Sequence, residues 1–167
     1  CEGDNLVAES ERLPWWKGPT LRQALDALPL PARATSKPLR ISVSDVYRVG
    51  GLGTLVDGRV ESGIVTPGMK LRASPSYATG ECVSLVVKRG EPLPKAEAGE
   101  RVGVQVSELT SKTVRRGTIL SDVKRDPSLP VKSFTARISV IDRACVRTGY
   151  TPMVSCHAAS VPCLSLI

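Results

Sequence analysis

Aromatic residues are scarce: one Phe, two Trp and three Tyr make up 4% of the 167 residues. A core cannot be assembled around rings and must come from Val, Leu, Ile and Ala, within an apolar share of 41%. Long apolar runs are absent too. No stretch approaches the roughly 20 apolar residues of a membrane-spanning helix, and the opening Cys1-Glu2-Gly3-Asp4-Asn5 is too polar for a secretory leader. Histidine occurs once, at His157. That restricts hydrolase chemistry, because a Ser-His-Asp or Cys-His site would need this same residue and no nucleophile elbow accompanies it. Cys156, His157 and Cys163 do not have the paired spacing of zinc ligands, so no metal is expected and His157 is read as an ordinary strand position. Glu97 and Glu100 lie in a Gly- and Pro-flanked turn, which gives general acid–base catalysis no support. Neither GxxxxGK[ST] nor NKxD occurs, so no means of binding a nucleotide is visible. The five cysteines, Cys1, Cys82, Cys145, Cys156 and Cys163, are odd in number and widely spaced. A disulfide framework is excluded on that pattern, and a reducing, cytoplasmic setting is expected.

What is present points to β-structure. Gly and Pro contribute 14 and 13 residues, which implies many turns and argues against a helical bundle. The net charge of +7 is uneven. Residues 1–36 are nearly balanced, whereas residues 37–125 hold 15 basic and 9 acidic groups. The middle segment is therefore the candidate for a polyanionic partner, although a solvated surface with a modest basic excess satisfies the charge alone equally well.

One helix is legible near the start. Leu21, Ala24, Leu25 and Leu28 recur at helical spacing behind Thr20, and Gln23 completes a capping box. Pro29 and Pro31 end it, and residues 29–38 read as a linker. From Leu39 the period changes to two. Extended runs are expected at Leu39–Asp45, Thr54–Val60, Met69–Ala73, Cys82–Lys88, Arg101–Val106 and Thr118–Ser121, separated by glycine turns. Short strands at this spacing predict one closed β-barrel over residues 39–122. Past the break at 124–132, Phe134, Ala136, Ile138 and Val140 alternate as a further strand, and Met153–Val161 suggests another. Two strands make no stable sheet alone, so residues 131–167 read as the start of something longer.

The densest glycine site, Gly50-Gly51-Leu52-Gly53-Thr54, leads into a strand pattern rather than a helix, so it reads as a bend between strands. Basic residues cluster at Lys88-Arg89, Lys112, Arg115-Arg116 and Lys124-Arg125. They suit phosphate neutralisation and equally suit solvated turns. Trp15-Trp16, beside Leu13, Pro14 and Pro19, reads as a packed anchor.

Taken in order, Gly3-Asp4-Asn5, Leu13-Pro14-Trp15-Trp16-Lys17-Gly18-Pro19-Thr20-Leu21, Lys37-Pro38-Leu39-Arg40 and Asp45-Val46-Tyr47-Arg48-Val49-Gly50-Gly51-Leu52-Gly53-Thr54 form a specific series. Gly58-Arg59-Val60-Glu61-Ser62-Gly63, Pro67-Gly68-Met69, Arg115-Arg116-Gly117, Phe134-Thr135-Ala136, Gly149-Tyr150-Thr151-Pro152 and Cys156-His157 continue it. With these strings the chain resembles translation elongation factor 1-alpha, of the elongation factor Tu family, over almost its whole length. The resemblance implies that residues 1–36 end a GTP-binding domain, residues 37–125 form the second, β-barrel domain, and residues 131–167 open the third. It implies a part in GTP-dependent delivery of aminoacyl-tRNA to the ribosome, with a nucleotide-exchange factor as a further partner and neither membrane nor DNA involved. GTP and magnesium serve the full-length family. Their motifs do not occur in these 167 residues, so this chain is expected to hold no cofactor and to be inactive as a GTPase alone.

The resemblance also implies a pocket for the tRNA 3′ end. Gly51, Gly53, Thr54 and Leu55 match its glycine-rich wall. The family's Glu-Met-His segment falls on Val87, Lys88, Arg89 and Gly90, and a family Asn falls on Arg101. Lys88, Arg89, Arg115 and Arg116 supply the expected basic patch. In the third-domain part, an Asn-His-Pro-Gly turn is replaced by Asp142-Arg143-Ala144-Cys145. The alternative reading is a stand-alone basic β-barrel that binds RNA or a protein without catalysis.

Overall fold

The computed structural model describes residues 3–50, 53–87, 90–141 and 146–164. The chain divides into two compact units, Cys1–Ala32 and Arg33–Ile167.

The first unit is built around α1 (Leu21–Asp26). Thr20 accepts from the Gln23 backbone N–H at 3.3 Å, and Gln23 Oε1 accepts from the Thr20 N–H at 2.9 Å. The capping box is thus formed as expected, satisfying donors that a helix start leaves orphaned. The apolar stripe of Leu21, Leu25 and Leu28 is exposed. Trp16 donates Nε1 to Pro19 O at 3.0 Å and lies over Gly18, where a Cβ would fall 2.6 Å from its ring. Trp15 meets Trp16 edge-on, and at 74% and 44% exposure neither is buried, so the packed anchor expected from the sequence is not formed.

In the second unit, β1 (Arg40–Val49), β2 (Gly53–Ser62), β4 (Lys70–Ser74), β5 (Thr79–Val86), β8 (Arg101–Val106) and β9 (Ile119–Asp122) pair in the order β4-β9-β1-β2-β8-β5. β4 also pairs with β5 through Lys70–Glu81, Leu71–Gly80 and Arg72–Thr79, so the series returns on itself as a ring. β6 (Pro92–Leu93) extends the sheet beside β5, and β3 (Ile64–Val65) pairs with β7 (Ala96–Glu97). The expected strands are therefore present with shifted ends, and β1 runs four residues further than its alternation suggested. Alternate residues point inward: Ile41, Val43, Val56, Val60, Leu71, Leu85, Val102, Val104 and Leu120 are all buried. The buried apolar residues among those described include no aromatic, as the composition demanded. Each Val or Leu so buried contributes about 1.5–3 kcal/mol against solvent exposure.

Gly58 shows why the ring needs small residues. A Cβ there would lie 2.6 Å from Ser42 O on β1, so a side chain would push the two strands apart. The chain enters the ring on β1 and leaves it on the neighbouring β9. Arg125 donates Nη2 to Ser36 O at 3.1 Å, and Arg40 meets Asp126 at 2.8 Å, which ties entry and exit together.

Two expectations need correction. The alternating run at Phe134–Val140 joins no ladder, and Phe134, Ile138 and Val140 are exposed. Alternation prepares a strand, but only a partner supplies its hydrogen bonds, and no described strand pairs with this segment. The expected strand at Met153–Val161 is instead a hairpin, β10 (Met153–Cys156) and β11 (Ala159–Pro162). His157 is no strand residue but stands in the turn between them at φ 52°. The Asp142–Cys145 substitution lies outside the described residues. Among those residues, no helix is long and apolar enough to cross a membrane.

Candidate functional site

The outward face of β1, β2, β8 and β5 holds two of the candidate side chains that can be placed, Leu55 and Arg101. Outward positions on β2 are Leu55, Asp57 and Arg59, because Thr54, Val56, Gly58 and Val60 point into the ring. Tyr47 on β1 stands opposite Leu55, and Gln105 and Gly103 on β8 stand opposite Leu55 and Asp57. On the far side of β8, Val86 stands opposite Gly103.

Gly103 forms the floor. A Cβ there would lie 2.9 Å from Val86 Cγ2 and 3.4 Å from Leu55 Cδ1. The two apolar side chains thus close over a backbone that carries none of its own, leaving an apolar shelf. Ser84 donates its hydroxyl to Gln105 Oε1 at 2.7 Å and gives the shelf a polar border.

Arg101 reaches diagonally across the ladder. It donates Nε and Nη2 to Asp57 Oδ2 at 3.2 and 2.6 Å, and this hydrogen bond, with the carboxylate's charge, pushes the guanidinium pKa up. Tyr47 donates its hydroxyl to Asp45 Oδ2 at 2.9 Å. The Val46 backbone N–H and then that hydroxyl hold Asp45 below the usual carboxylate range, while the bond to Asp45 raises the Tyr47 phenol. Asp45 and Asp57 are matched by Arg101 and the outward Arg59 that stands opposite it, so this part of the face is close to balanced in charge.

The remaining residues take different positions. Gly53 opens β2 at φ 84°, a conformation that glycine adopts without strain. Thr54 points inward, is buried, and donates Oγ1 to Leu109 O at 2.7 Å. Its hydroxyl is therefore committed to the fold. Val87 and Gly90 belong to the turn joining β5 to β6: Gly90 N–H donates to Val87 O at 2.8 Å, and Val87 N–H to Glu91 O at 3.0 Å. Arg115 and Arg116 are exposed in the turn before β9. Gly51, Lys88 and Arg89 lie outside the described residues. Of the expected site residues, Leu55 thus borders Gly103 and Arg101 reaches the Asp57 that pairs with it, while Val87 stands in the β5–β6 turn and Thr54 points inside. Asp57, Val86 and Gly103 escaped the sequence reading. Two signals pointed to them: Asp57 shares the period-two face of Leu55, and Gly103 interrupts a valine-rich strand. Among the described residues, no group of three or more His, Cys, Asp or Glu side chains is placed to hold a metal.

Comparison with known proteins places these features in context. Residues 53–121 match the family described as Elongation factor Tu domain 2. The chain is 40% identical over 162 residues to elongation factor 1-alpha of Tetrahymena pyriformis, covering 96% of this chain and 37% of that protein. It is 43% identical over 162 residues to elongation factor 1-alpha of Stylonychia lemnae, covering 96% and 36% respectively. The solved structure of translation elongation factor SelB from Methanococcus maripaludis shares the fold, with a TM-score of 0.68 at 22% identity, over 86% of this chain and 31% of that one. The chain thus spans little more than a third of these elongation factor 1-alpha relatives.

Proposed function

Because the chain belongs to the elongation factor Tu and elongation factor 1-alpha family, of which it represents a part, we propose that its ring is an RNA-end-binding domain of translation. In this reading residues 37–125 are the second domain, residues 1–36 the end of a GTP-binding domain and residues 131–167 the opening of a third. Aminoacyl-tRNA, the ribosome and a nucleotide-exchange factor are the partners, and the cytoplasm is the setting. One observation supports it above the others: Leu55 and Val86 flank a side-chain-free floor at Gly103, beside the Arg101–Asp57 pair, inside the segment that matches the family. Such a shelf accepts a flat base edge-bordered by polar groups.

GTP and its magnesium do not fit this chain. The glycine-dense run that ends at Gly53 leads into strand β2, whereas a phosphate cradle needs a helix N-terminus. No step of GTP hydrolysis is assigned to these residues. The second reading, a stand-alone RNA- or protein-binding module, is favoured by the ring's self-contained core. Intact mass of the native protein separates the two.

The binding mode follows from charge. Residues 37–125 carry an excess of six positive charges, while Val87 stands where the family places a carboxylate and Arg101 where it places an amide. Phosphate attraction is retained and selectivity for the aminoacyl group is reduced. We expect weak, salt-sensitive RNA binding in a filter assay run at several salt concentrations. Replacing Lys88 and Arg89 with Ala lowers affinity for all RNAs alike and flattens the salt slope. Val87→Glu restores part of a preference for aminoacylated over bare tRNA. A preference beyond about tenfold in the unaltered protein, or about 1.4 kcal/mol, contradicts the pocket reading.

A further inference from the structure

Tyr77 stands in the turn between β4 and β5 at φ 62°. Its N–H donates to Ala73 O at 2.8 Å, and the Ala73 N–H donates to Ala78 O at 2.8 Å, so the turn itself fixes that backbone. The left-handed region is routine for glycine, and for asparagine and aspartate, whose short side chains bond locally; for a bulky ring it is an outlier. Burial does not account for the ring, because Tyr77 is 51% exposed. It lies instead against Arg72, whose guanidinium carbon is 4.6 Å from the ring centroid. Arg72 points outward on β4, between Thr79 on β5 and Ser121 on β9. Arg33, Arg40 and Arg101 each meet a carboxylate, whereas Arg72 makes no ion pair and donates no side-chain hydrogen bond among the described residues. A planar cation with its N–H fork unspent thus covers part of an exposed phenol ring. Strain kept at an exposed side chain points to a task for that side chain.

We propose that Tyr77 and Arg72 form a stacking platform for a base of single-stranded RNA, with the Arg72 fork on the adjoining phosphate, a role that rests on the RNA-binding reading of the ring. Base stacking needs an accessible aromatic face and is reinforced by a guanidinium. The arginine fork matches two phosphate oxygens at once. The platform also lies in line with the shelf. Thr79, beside Arg72, and Val86, at the shelf, both face outward on β5 and stand seven residues apart, about 23 Å at the rise of a strand. Val83 is exposed between them. A stacked single strand advances about 3.4 Å per nucleotide, so about seven nucleotides join the two points. Midway, Glu81 stands opposite Lys70, so charge is balanced there and stacking at the two ends holds the strand.

The test uses the full chain and a thiouridine-bearing single-stranded RNA of about 12 nucleotides, longer than the path requires. Fluorescence anisotropy gives affinity, and photo-cross-linking with mass analysis gives position. A cross-link at Tyr77 is expected. Tyr77→Asn suits the left-handed turn and removes the ring; it is expected to melt no lower than the parent and to bind about fivefold more weakly or worse. Tyr77→Phe keeps the parent affinity. Arg72→Gln weakens binding about threefold and makes the salt dependence shallower. If a variant unfolds, the cross-link on the unaltered chain carries the test. A parent chain that does not bind this RNA overturns the RNA-binding reading and the platform together. A parent that binds, but cross-links only outside the β4–β5 turn, overturns the platform alone. So does a folded Tyr77→Asn chain with parent affinity.

Discussion

Cys82 lies on β5 with its thiol inside the ring, and burial pushes its pKa up to about 11. The unfolded chain ionises this thiol from about pH 9, whereas the folded chain retains the proton. Stability is therefore complete below pH 9 and falls by about 1.4 kcal/mol per unit as pH rises toward 11. Urea unfolding at pH 8 and pH 10.5 measures the difference. Alkylation at pH 8 followed by mass analysis gives a second check: exposed Cys156 reacts in the native protein and Cys82 only after unfolding. At this scale the interior was legible from the sequence, because alternation separates Val56 from Asp57 without further information. The site was less legible. Resemblance places Arg101 at a family Asn of the 3′-end pocket, and nothing in the sequence signals that its guanidinium is engaged by Asp57, a residue 44 positions away. Such a pairing depends on strand register, which no local pattern reports.

Among the elements, β2 shows how one strand serves both the core and the candidate site. Its inward Thr54 is buried and fixes the loop after β8 by donating its hydroxyl to Leu109 O. Thr54→Val preserves shape and leaves that buried carbonyl unpaired, at a cost of about 1–3 kcal/mol. The expected result is a lower urea midpoint with the same slope, and RNA affinity unchanged in conditions where the variant is fully folded. Element reading succeeded wherever the signal was local, as with the Thr20–Gln23 capping box and the glycine-punctuated strands of the ring. It failed where pairing was required. Phe134–Val140 has the alternation of a strand and no ladder, and the break at His157 is set by a turn whose backbone no glycine announces.

For the whole second unit, the ring arrangement follows from aliphatic alternation, small residues at close approaches and a seam of three residue pairs between β4 and β5. That seam follows a turn whose Tyr77 is exposed and whose ring lies 4.6 Å from the Arg72 guanidinium carbon. The opposite feature is the meeting of entry and exit, with Ser36 held by Arg125 and Arg40 by Asp126. Chain order in the ring is thereby interchangeable with spatial order. A circular permutant that joins residue 126 to residue 36 through about six Gly and Ser residues, with new termini between Ser76 and Tyr77, should retain the native ladders. Its amide fingerprint is expected to match the parent ring except near the two cuts, and general loss of dispersion would refute this. The same adjacency makes the ring a cassette: a segment inserted or removed as one piece leaves the flanking chain ends where they already stand.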